Sequence, residues 1–192
     1  MNRFHRWYCA SDRWAATVRD DLLPWALRDV PLGRHVLEIG PGPGLTTRLL
    51  QQRVQRLTAV EVDPALADRL RAVAASNVEV VTADATALPF PDEHFDTVVS
   101  FTMLHHVPSP QLQDRLLAEA RRVLAPDGVF AGSDSTTGPL FRIAHAFDTM
   151  VLVDPDTFEQ RLAAAGFADV HVQRGRHAFR FQGRRPAVAV VQ

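Results

Sequence analysis

Short apolar runs alternate with helix-spaced segments along most of the chain. Strand-like runs are predicted at residues 35–39, 57–62, 78–82, 95–101 and 129–132. The run at 95–101 is apolar at most positions, which is typical of a central parallel strand that is buried on both faces. Strands that alternate with helices in this way predict an α/β fold, with a doubly wound, mostly parallel sheet and helices on both faces.

Apolar residues that recur every three or four positions mark the helices between these strands. Such spacing predicts helices within 1–31, from Leu45, from Pro64, over 112–124 and over 155–165. A turn at 126–128 ends the fourth of these helices, and Gly166 ends the fifth in a position that suits a left-handed cap.

The chain closes with two strand-like runs, at 168–172 and 177–181, that have no helix between them. Strands joined this way predict an antiparallel hairpin at one edge of the sheet. Residues 187–191 either extend the last strand or add a further piece. We therefore expect seven strands, and the lack of any repeat or linker predicts a single domain over residues 1–192.

The composition excludes several kinds of chemistry. All 21 positively charged side chains are arginines, so the chain has no lysine for a Schiff base or for a phosphate-loop NTPase. Cys9 is the only cysteine, which excludes intramolecular disulfides and metal sites built on cysteine pairs, and we predict no metal. A chain of 192 residues with 46% hydrophobic side chains buries a core without such help.

Charge and hydropathy limit the partners. The 21 basic residues balance the 22 acidic ones, so no field attracts polyanions and a nucleic-acid partner is disfavoured. The longest apolar runs fall short of the roughly 20 residues that span a bilayer, and the first residues lack the apolar stretch of a signal peptide. We therefore expect a cytoplasmic protein with no membrane partner, whereas its oligomeric state is not indicated.

A glycine-rich loop over residues 40–44 follows the first predicted strand, at the end of the sheet where ligands bind in such folds. A dinucleotide fingerprint would require glycine at the position of Leu45. Pro41 and Pro43 also remove N–H donors that a pyrophosphate would use, and Glu38 adds a carboxylate that would repel it. The loop therefore favours a ligand with a cationic part, although Glu38 could instead simply bond nearby amides.

Residues 36–47, VLEIGPGPGLTT, resemble the first motif of the class I S-adenosylmethionine-dependent methyltransferases. Later motifs of that family are similar, in order, to TAVEVDP at 58–64, TADATALPF at 82–90, FDTVVSFTMLHHV at 95–107, ARRVLAPDGV at 120–129 and the segment 158–172. The resemblance covers about residues 33–185. It implies a Rossmann-like methyltransferase fold, S-adenosyl-L-methionine as cofactor and transfer of its methyl group to an unidentified, small-molecule acceptor.

The resemblance also implies which residues hold the cofactor. Glu61 would bind the ribose hydroxyls, and Asp84 would meet the adenine amino group with Ala85 beside the ring. The other positions implied in cofactor binding are Glu38, Gly40, Gly42, Gly44, Val62 and Ser100. The domain would then comprise an N-terminal helical cap (1–31), a cofactor-binding half (33–134) and an acceptor-side lid with edge strands (135–192).

His105 and His106 are the candidate catalytic residues. They follow the fourth strand, where acceptors approach in this fold, and imidazole titrates in the range that a general base needs. Alternatively, at least one of them packs or caps the next helix. His145 with Asp148 or Asp134 could equally form a base with its orienting carboxylate, but these scattered residues make no defined metal site.

The acceptor is not identified by the sequence. The N-terminal segment and a roughly 20-residue insertion over 134–153 are expected to cover it, because loops of that length are usually functional. Their aromatic residues suit an apolar or planar acceptor, but core packing would explain them equally well. Two alternatives to a methyltransferase stay open, a non-catalytic S-adenosylmethionine-binding partner protein and an NAD(P)-dependent oxidoreductase.

Overall fold

The computed structural model describes residues 11–136 and 150–187. Its strands are β1 (His35–Ile39), β2 (Arg56–Glu61), β3 (Val78–Thr82), β4 (Phe95–Phe101), β5 (Leu124–Ser135), β6 (Ala168–Arg174) and β7 (Ala178–Arg184). They form one sheet in the order β3-β2-β1-β4-β5-β7-β6. Strands β1 to β5 are parallel, and β7 runs antiparallel to both β5 and β6. The predicted seven-stranded, mostly parallel sheet with an antiparallel edge hairpin is confirmed.

Helices connect the strands at the predicted places. They are α1 (Asp12–Thr17), a π-helical turn (Val18–Leu22), α2 (Leu23–Ala26), α3 (Leu45–Leu50), α4 (Pro64–Arg71), a 3-10 turn (Leu104–His106), α5 (Pro110–Val123) and α6 (Pro155–Ala164). Gly166 has φ +90° just beyond α6, as its predicted role in ending that helix requires. None of the helices within the described residues is both long and apolar enough to cross a membrane.

The π-helical turn between α1 and α2 has a local cause. Pro24 has no N–H to donate, and its ring would collide with the carbonyl one turn earlier in a regular α-helix. The preceding N–H, of Leu23, instead bonds to the oxygen of Val18, five residues back, which widens the helix for one turn. The helical character predicted within 1–31 is thus confirmed for these segments, whereas residues 1–10 lie outside the described part.

The core lies on both faces of the sheet because side chains alternate along its central strands. On β4, Val98 packs with the apolar faces of α5 and α6, whereas Val99 packs with α2 and α3. Both valines are fully buried. Each such side chain contributes about 1.5–3 kcal/mol relative to an exposed one. The sheet therefore gives the loops at its carboxyl edge a rigid support.

Strand β5 is longer than the predicted 129–132. Leu124 already pairs with Phe95, and the register shifts before Val129 pairs with Thr97, so the predicted turn at 126–128 is accommodated inside the strand as a bulge. Long-range pairing thus extends a strand through residues whose local preference is a turn. Most of the predicted insertion, residues 137–149, and residues 188–191 of the last predicted piece lie outside the described residues.

Candidate active site

The glycine loop leaves β1 at the point where the strand order reverses, with β2 on one side of β1 and β4 on the other. Such a switch point is where open α/β sheets bind ligands. The Gly40 N–H donates to the carbonyl of Val60 on β2 (2.9 Å), and the Gly44 N–H donates to that of Pro41 (2.9 Å). Gly40, Gly42 and Gly44 have φ values of +68°, +53° and +78°. This left-handed backbone favours glycine at all three positions.

The glycines differ in what surrounds them. A Cβ on Gly40 would overlap Cγ of Met103, which follows β4, so the two loops are in direct contact across the switch point. A Cβ on Gly44 would meet the Leu70 side chain of α4. By contrast, no atom of the described residues lies within 4 Å of a Cβ placed on Gly42. The loop therefore exposes its backbone at Gly42, where a ligand can approach closely.

Glu38 lies beneath this loop and is only 1% exposed. Its carboxylate accepts hydrogen bonds from the hydroxyls of Thr46 and of Thr47 (2.6 Å for Thr47), both in the first turn of α3. The sequence analysis offered backbone amides as possible partners of Glu38, whereas the partners in the structure are these two hydroxyls. Burial raises the pKa of Glu38 to about 7; the two hydroxyl bonds oppose this shift, and the charge of Glu61 adds to it.

Glu61, the last residue of β2, links the strand end to the glycine loop. One carboxylate oxygen accepts the N–H of Gly42 (2.9 Å), and the other accepts the N–H of Asp63 (3.0 Å). The side chain of Glu61 is buried, yet the next residue, Val62, is 66% exposed. A carboxylate with lone pairs to spare thus lies beside an uncovered apolar surface.

Asp84 and Ala85 lie in the loop after β3. The Ala83 N–H donates to the carbonyl of Glu61 (3.2 Å), which connects this loop to the end of β2. Asp84 is exposed and accepts the N–H of Thr86 through its side chain (2.8 Å), as in an Asx turn, and Ala85 is half-buried against the core. These two residues and Glu61 therefore share one end of the site.

The exit of β4 is strained. Ser100 pairs with Ile39 of β1, and its hydroxyl is buried with no hydrogen-bond partner among residues 11–136 and 150–187. Thr102 has φ +50°, an uncommon conformation for a β-branched residue, and is held by an N–H bond to the carbonyl of Ser133 (2.8 Å). Such strain persists where the surroundings fix it, and it is frequent at functional sites.

His105 forms a buried pair with Asp134, the penultimate residue of β5. The distance from His105 Nδ1 to Asp134 Oδ1 is 2.5 Å, and the other carboxylate oxygen accepts the backbone N–H of His105 (2.9 Å). His106 is half-buried, with its ring centroid 4.2 Å from that of His105. Sequence reasoning offered Asp148 or Asp134 as the partner of His145, and both His145 and Asp148 lie outside the described residues. The partner of His105 could have been predicted, because His105 and Asp134 both lie at the carboxyl ends of neighbouring parallel strands, β4 and β5.

Residues 37–132 match the family model of the methyltransferase domain. The match therefore contains the glycine loop, Glu61, His105 and His106. The chain belongs to the methyltransferase domain family. It is a class I S-adenosylmethionine-dependent methyltransferase domain, and S-adenosylmethionine is its cofactor. Family membership decides against the NAD(P)-dependent alternative.

Two similar proteins illustrate the range of the family. The chain is 31% identical over 169 residues to 2-methyl-6-phytyl-1,4-hydroquinone methyltransferase 1, chloroplastic, of Oryza sativa subsp. japonica, covering 84% of this chain and 49% of that protein. It is 42% identical over 66 residues to a protein of Pyrobaculum aerophilum named as a probable ribosomal RNA small subunit methyltransferase A, covering 34% of this chain and 29% of that one. The chain thus spans half or less of these relatives.

A solved structure shares the fold of the methyltransferase domain. The SAM dependent methyltransferase from Archaeoglobus fulgidus superposes with a TM-score of 0.75 at 17% identity, over 94% of this chain and 97% of that one. At this identity, the similarity describes the fold alone.

The residues at the switch point fit the cofactor of this family. Gly42 leaves space where a side chain would stand, and Val62 offers an uncovered apolar surface for a flat ring. Glu38 and Glu61 place acidic groups where a cationic ligand with a vicinal diol would need them. Within the described residues, no group of three or more His, Cys, Asp or Glu side chains could hold a metal ion.

Gln113, which the sequence analysis did not identify, holds the turn that carries His105. It is 1% exposed on the apolar face of α5. Its amide donates to the carbonyls of Leu104 (3.1 Å) and Val151 (2.7 Å) and accepts from Arg161 (2.9 Å). The Val151 N–H also donates to the carbonyl of His105 (2.8 Å). This bond joins the histidine turn (Leu104–His106) to the segment that follows the insertion. The sequence did contain a signal for Gln113, because its amide lies among the apolar positions of an amphipathic helix.

Proposed function

We propose that the protein transfers the methyl group of S-adenosylmethionine to a small-molecule acceptor by in-line displacement. The observation that carries this proposal is the arrangement at the switch point, where Glu61 bonds the open backbone of Gly42 above the buried Glu38. When bound, the cofactor supplies an electrophilic methyl group on a sulfonium. Orientation of two reactants contributes roughly 7–11 kcal/mol to such reactions, so positioning is the main task of the protein.

The cofactor-binding roles follow the geometry. Each oxygen of Glu61 already accepts one backbone N–H, and a carboxylate has about four acceptor positions, so both ribose hydroxyls can still be bound. Val62 and Ala85 would contact the adenine ring, with Asp84 at its amino group. Glu38 would favour the positively charged part of the cofactor. The remaining proposed contacts are Gly40, Gly42, Gly44 and Ser100.

His105 is the proposed general base. Its Nδ1 lies against the Asp134 carboxylate, so the ring takes up a proton at Nε2, and the buried carboxylate stabilises the imidazolium that results. The side chain of Gln113 and the Val151 N–H hold the turn that carries the ring. His106 stays a second candidate for this role.

The acceptor is proposed to be a small molecule and not RNA. The rice relative, which acts by its name on a hydroquinone, covers 84% of this chain, whereas the ribosomal RNA relative covers 34%. The balanced charge of 21 basic and 22 acidic residues also gives little attraction to a phosphate backbone. A cytoplasmic location stays a prediction of the sequence.

Calorimetric titration with S-adenosylhomocysteine, run beside NAD and NADP, tests the cofactor site. We expect micromolar binding of S-adenosylhomocysteine alone; binding of a nicotinamide nucleotide instead would contradict the proposal. Incubation with methyl-labelled S-adenosylmethionine and a panel of hydroquinones, phenols, carboxylic acids and amines then tests the acceptor, with RNA as a separate arm. Label on RNA alone would overturn the small-molecule acceptor. Cofactor binding without transfer to any acceptor would favour the non-catalytic partner protein.

A further inference from the structure

A network of hydrogen bonds holds the loop between β3 and β4 against the end of α5. This β3–β4 loop, residues 83–94, has no helix or strand, and it contains both Asp84 and Ala85. Neither the proposed chemistry nor the resemblance of the motifs assigns a role to the α5 side chains that hold it. The network is built around Arg122 on the last turn of α5.

The guanidinium of Arg122 donates five hydrogen bonds. It donates to both carboxylate oxygens of Glu119, one turn earlier on α5, at 2.7 and 2.8 Å. The same group donates to three acceptors of the β3–β4 loop, which are the carbonyl of Leu88 (2.9 Å), the carbonyl of Phe90 (2.8 Å) and the carboxylate of Asp92 (2.8 Å). The planar guanidinium therefore joins a rigid helix to three points of an irregular loop.

Glu119 completes the network by accepting the N–H of Leu88 (2.7 Å). Both backbone groups of Leu88 are thus held by α5 side chains, and its own side chain is 5% exposed in the core. The hydrogen bonds that Arg122 donates keep the pKa of Glu119 below its ordinary value despite partial burial. The bonds that Arg122 donates to Glu119 and Asp92 also raise its own pKa. Both shifts have the direction expected of an ion pair between Glu119 and Arg122.

The half of the loop nearer the site is held less firmly. Asp84 has its Asx turn with Thr86 and the Ala87 N–H on its carbonyl (3.0 Å), and Ala83 bonds to Glu61. Leu88, where the network takes hold, comes four residues after Asp84. A loop that is ordered before its ligand arrives does not lose conformational entropy on binding, so its contacts yield more affinity and more discrimination.

We propose that Arg122 and Glu119 are positioning residues for cofactor recognition, which hold the β3–β4 loop so that Asp84 reads the adenine amino group. The proposal rests on the proposed function, because it takes the cofactor site as given. It adds a specificity determinant that touches no part of the cofactor and acts only through the loop.

Titration with two ligands tests this role. S-adenosylhomocysteine and S-inosylhomocysteine differ in the purine amino group, which is replaced by a carbonyl in the second. We expect Arg122→Gln to weaken binding of S-adenosylhomocysteine at least tenfold and to reduce the preference for it over the inosine analogue. Arg121→Gln is the matched control, since the Arg121 guanidinium donates to the carbonyl of Gly166 (2.9 Å) and not to the loop. It should leave both affinities within twofold of wild type.

Hydrogen exchange supplies a readout that does not depend on a folded variant. In wild type, the hydrogen-bonded amides of Thr86, Ala87 and Leu88 should exchange slowly before any ligand is added, and protection that develops only with S-adenosylhomocysteine would overturn the proposal. Asp92→Ala removes one partner of Arg122 at a side chain that is 69% exposed, and it should speed exchange at these amides while the fold is kept.

The two proposals fail in different ways. If wild type does not bind S-adenosylhomocysteine, the proposed function is wrong. If wild type binds it and folded Arg122→Gln keeps both the affinity and the preference for adenine, only the role of Arg122 and Glu119 is wrong.

Discussion

Nδ1 of His105 lies 2.5 Å from Oδ1 of Asp134, and both side chains are buried at the carboxyl ends of β4 and β5. The same carboxylate also accepts the backbone N–H of His105 and that of Ser135 (2.6 Å). One carboxylate therefore fixes the backbone of the histidine turn and the orientation of its ring. The pair joins residues 29 positions apart in the chain.

The His105–Asp134 pair should show a strong energetic coupling. We expect a double-mutant cycle with His105→Phe and Asp134→Asn to give a coupling energy of about 1.5–3 kcal/mol, as for hydrogen bonds to charged groups. Urea unfolding of the four proteins measures it, and His106→Phe in place of His105→Phe is the control. A coupling near zero would mean that the two side chains do not interact in solution.

Alanine should destabilise the protein more at Gly40 than at Gly42. Both positions have positive φ, which costs alanine about 1–2 kcal/mol. At Gly42 we expect only that cost, together with weaker binding of S-adenosylhomocysteine, because the new methyl group occupies open space. At Gly40 the methyl group overlaps Met103, so the loss of stability should be larger, and Met103→Ala in the same chain should restore part of it. Equal destabilisation by the two alanines would contradict this assignment.

Glu61→Gln should weaken binding of S-adenosylhomocysteine by at least tenfold. The amide cannot accept hydrogen bonds at both ends, so it loses a charge-assisted bond worth about 1.5–3 kcal/mol. Because the carboxylate also accepts the N–H groups of Gly42 and Asp63, the variant should lose some stability as well.

A matched control separates binding from stability in this test. Asp154→Ala removes the cap of α6, which costs about 1 kcal/mol of stability without removing any hydrogen bond of the glycine loop. It should leave the calorimetric dissociation constant unchanged. The ribose assignment fails if Glu61→Gln binds as tightly as this control.

Glu38 should make the stability of the protein depend on pH. Burial raises its pKa from the ordinary 4.5 to about 7. Its contribution to stability is therefore complete below about pH 4.5 and is lost as the pH rises through about 7, because the folded protein holds a proton that the unfolded chain has released. The loss amounts to about 3 kcal/mol.

Glu38→Gln stays neutral and removes this dependence. Urea unfolding at several pH values measures the free energy of unfolding of both proteins. We expect the value for the variant minus that for wild type to increase between pH 5 and pH 8, because only wild type loses the contribution of Glu38. Glu79→Gln, at an exposed position of β3, should change nothing over the same range. A constant difference between the Glu38 variant and wild type would show that the carboxyl ionises normally.

Local sequence patterns determined most of the framework. Runs of apolar residues located all seven strands, and glycines with positive φ marked the loop after β1 and the end of α6, because strand burial and left-handed backbone leave a direct trace in residue type. The order of motifs also brought Glu38, Gly42 and Glu61 together in advance, since parallel strands end at one edge of the sheet.

The tertiary structure alone decided how side chains meet across that edge. The order of the strands and the packing of α5 determine three contacts. These are the partner of His105, the five bonds of the Arg122 guanidinium and the position of the Gln113 amide. The early start of β5 has the same origin, because pairing of Leu124 with Phe95 outweighs the local preference of residues 126–128 for a turn. A sequence pattern records what each residue prefers locally, whereas hydrogen bonds between distant residues depend on distances that only the folded chain sets.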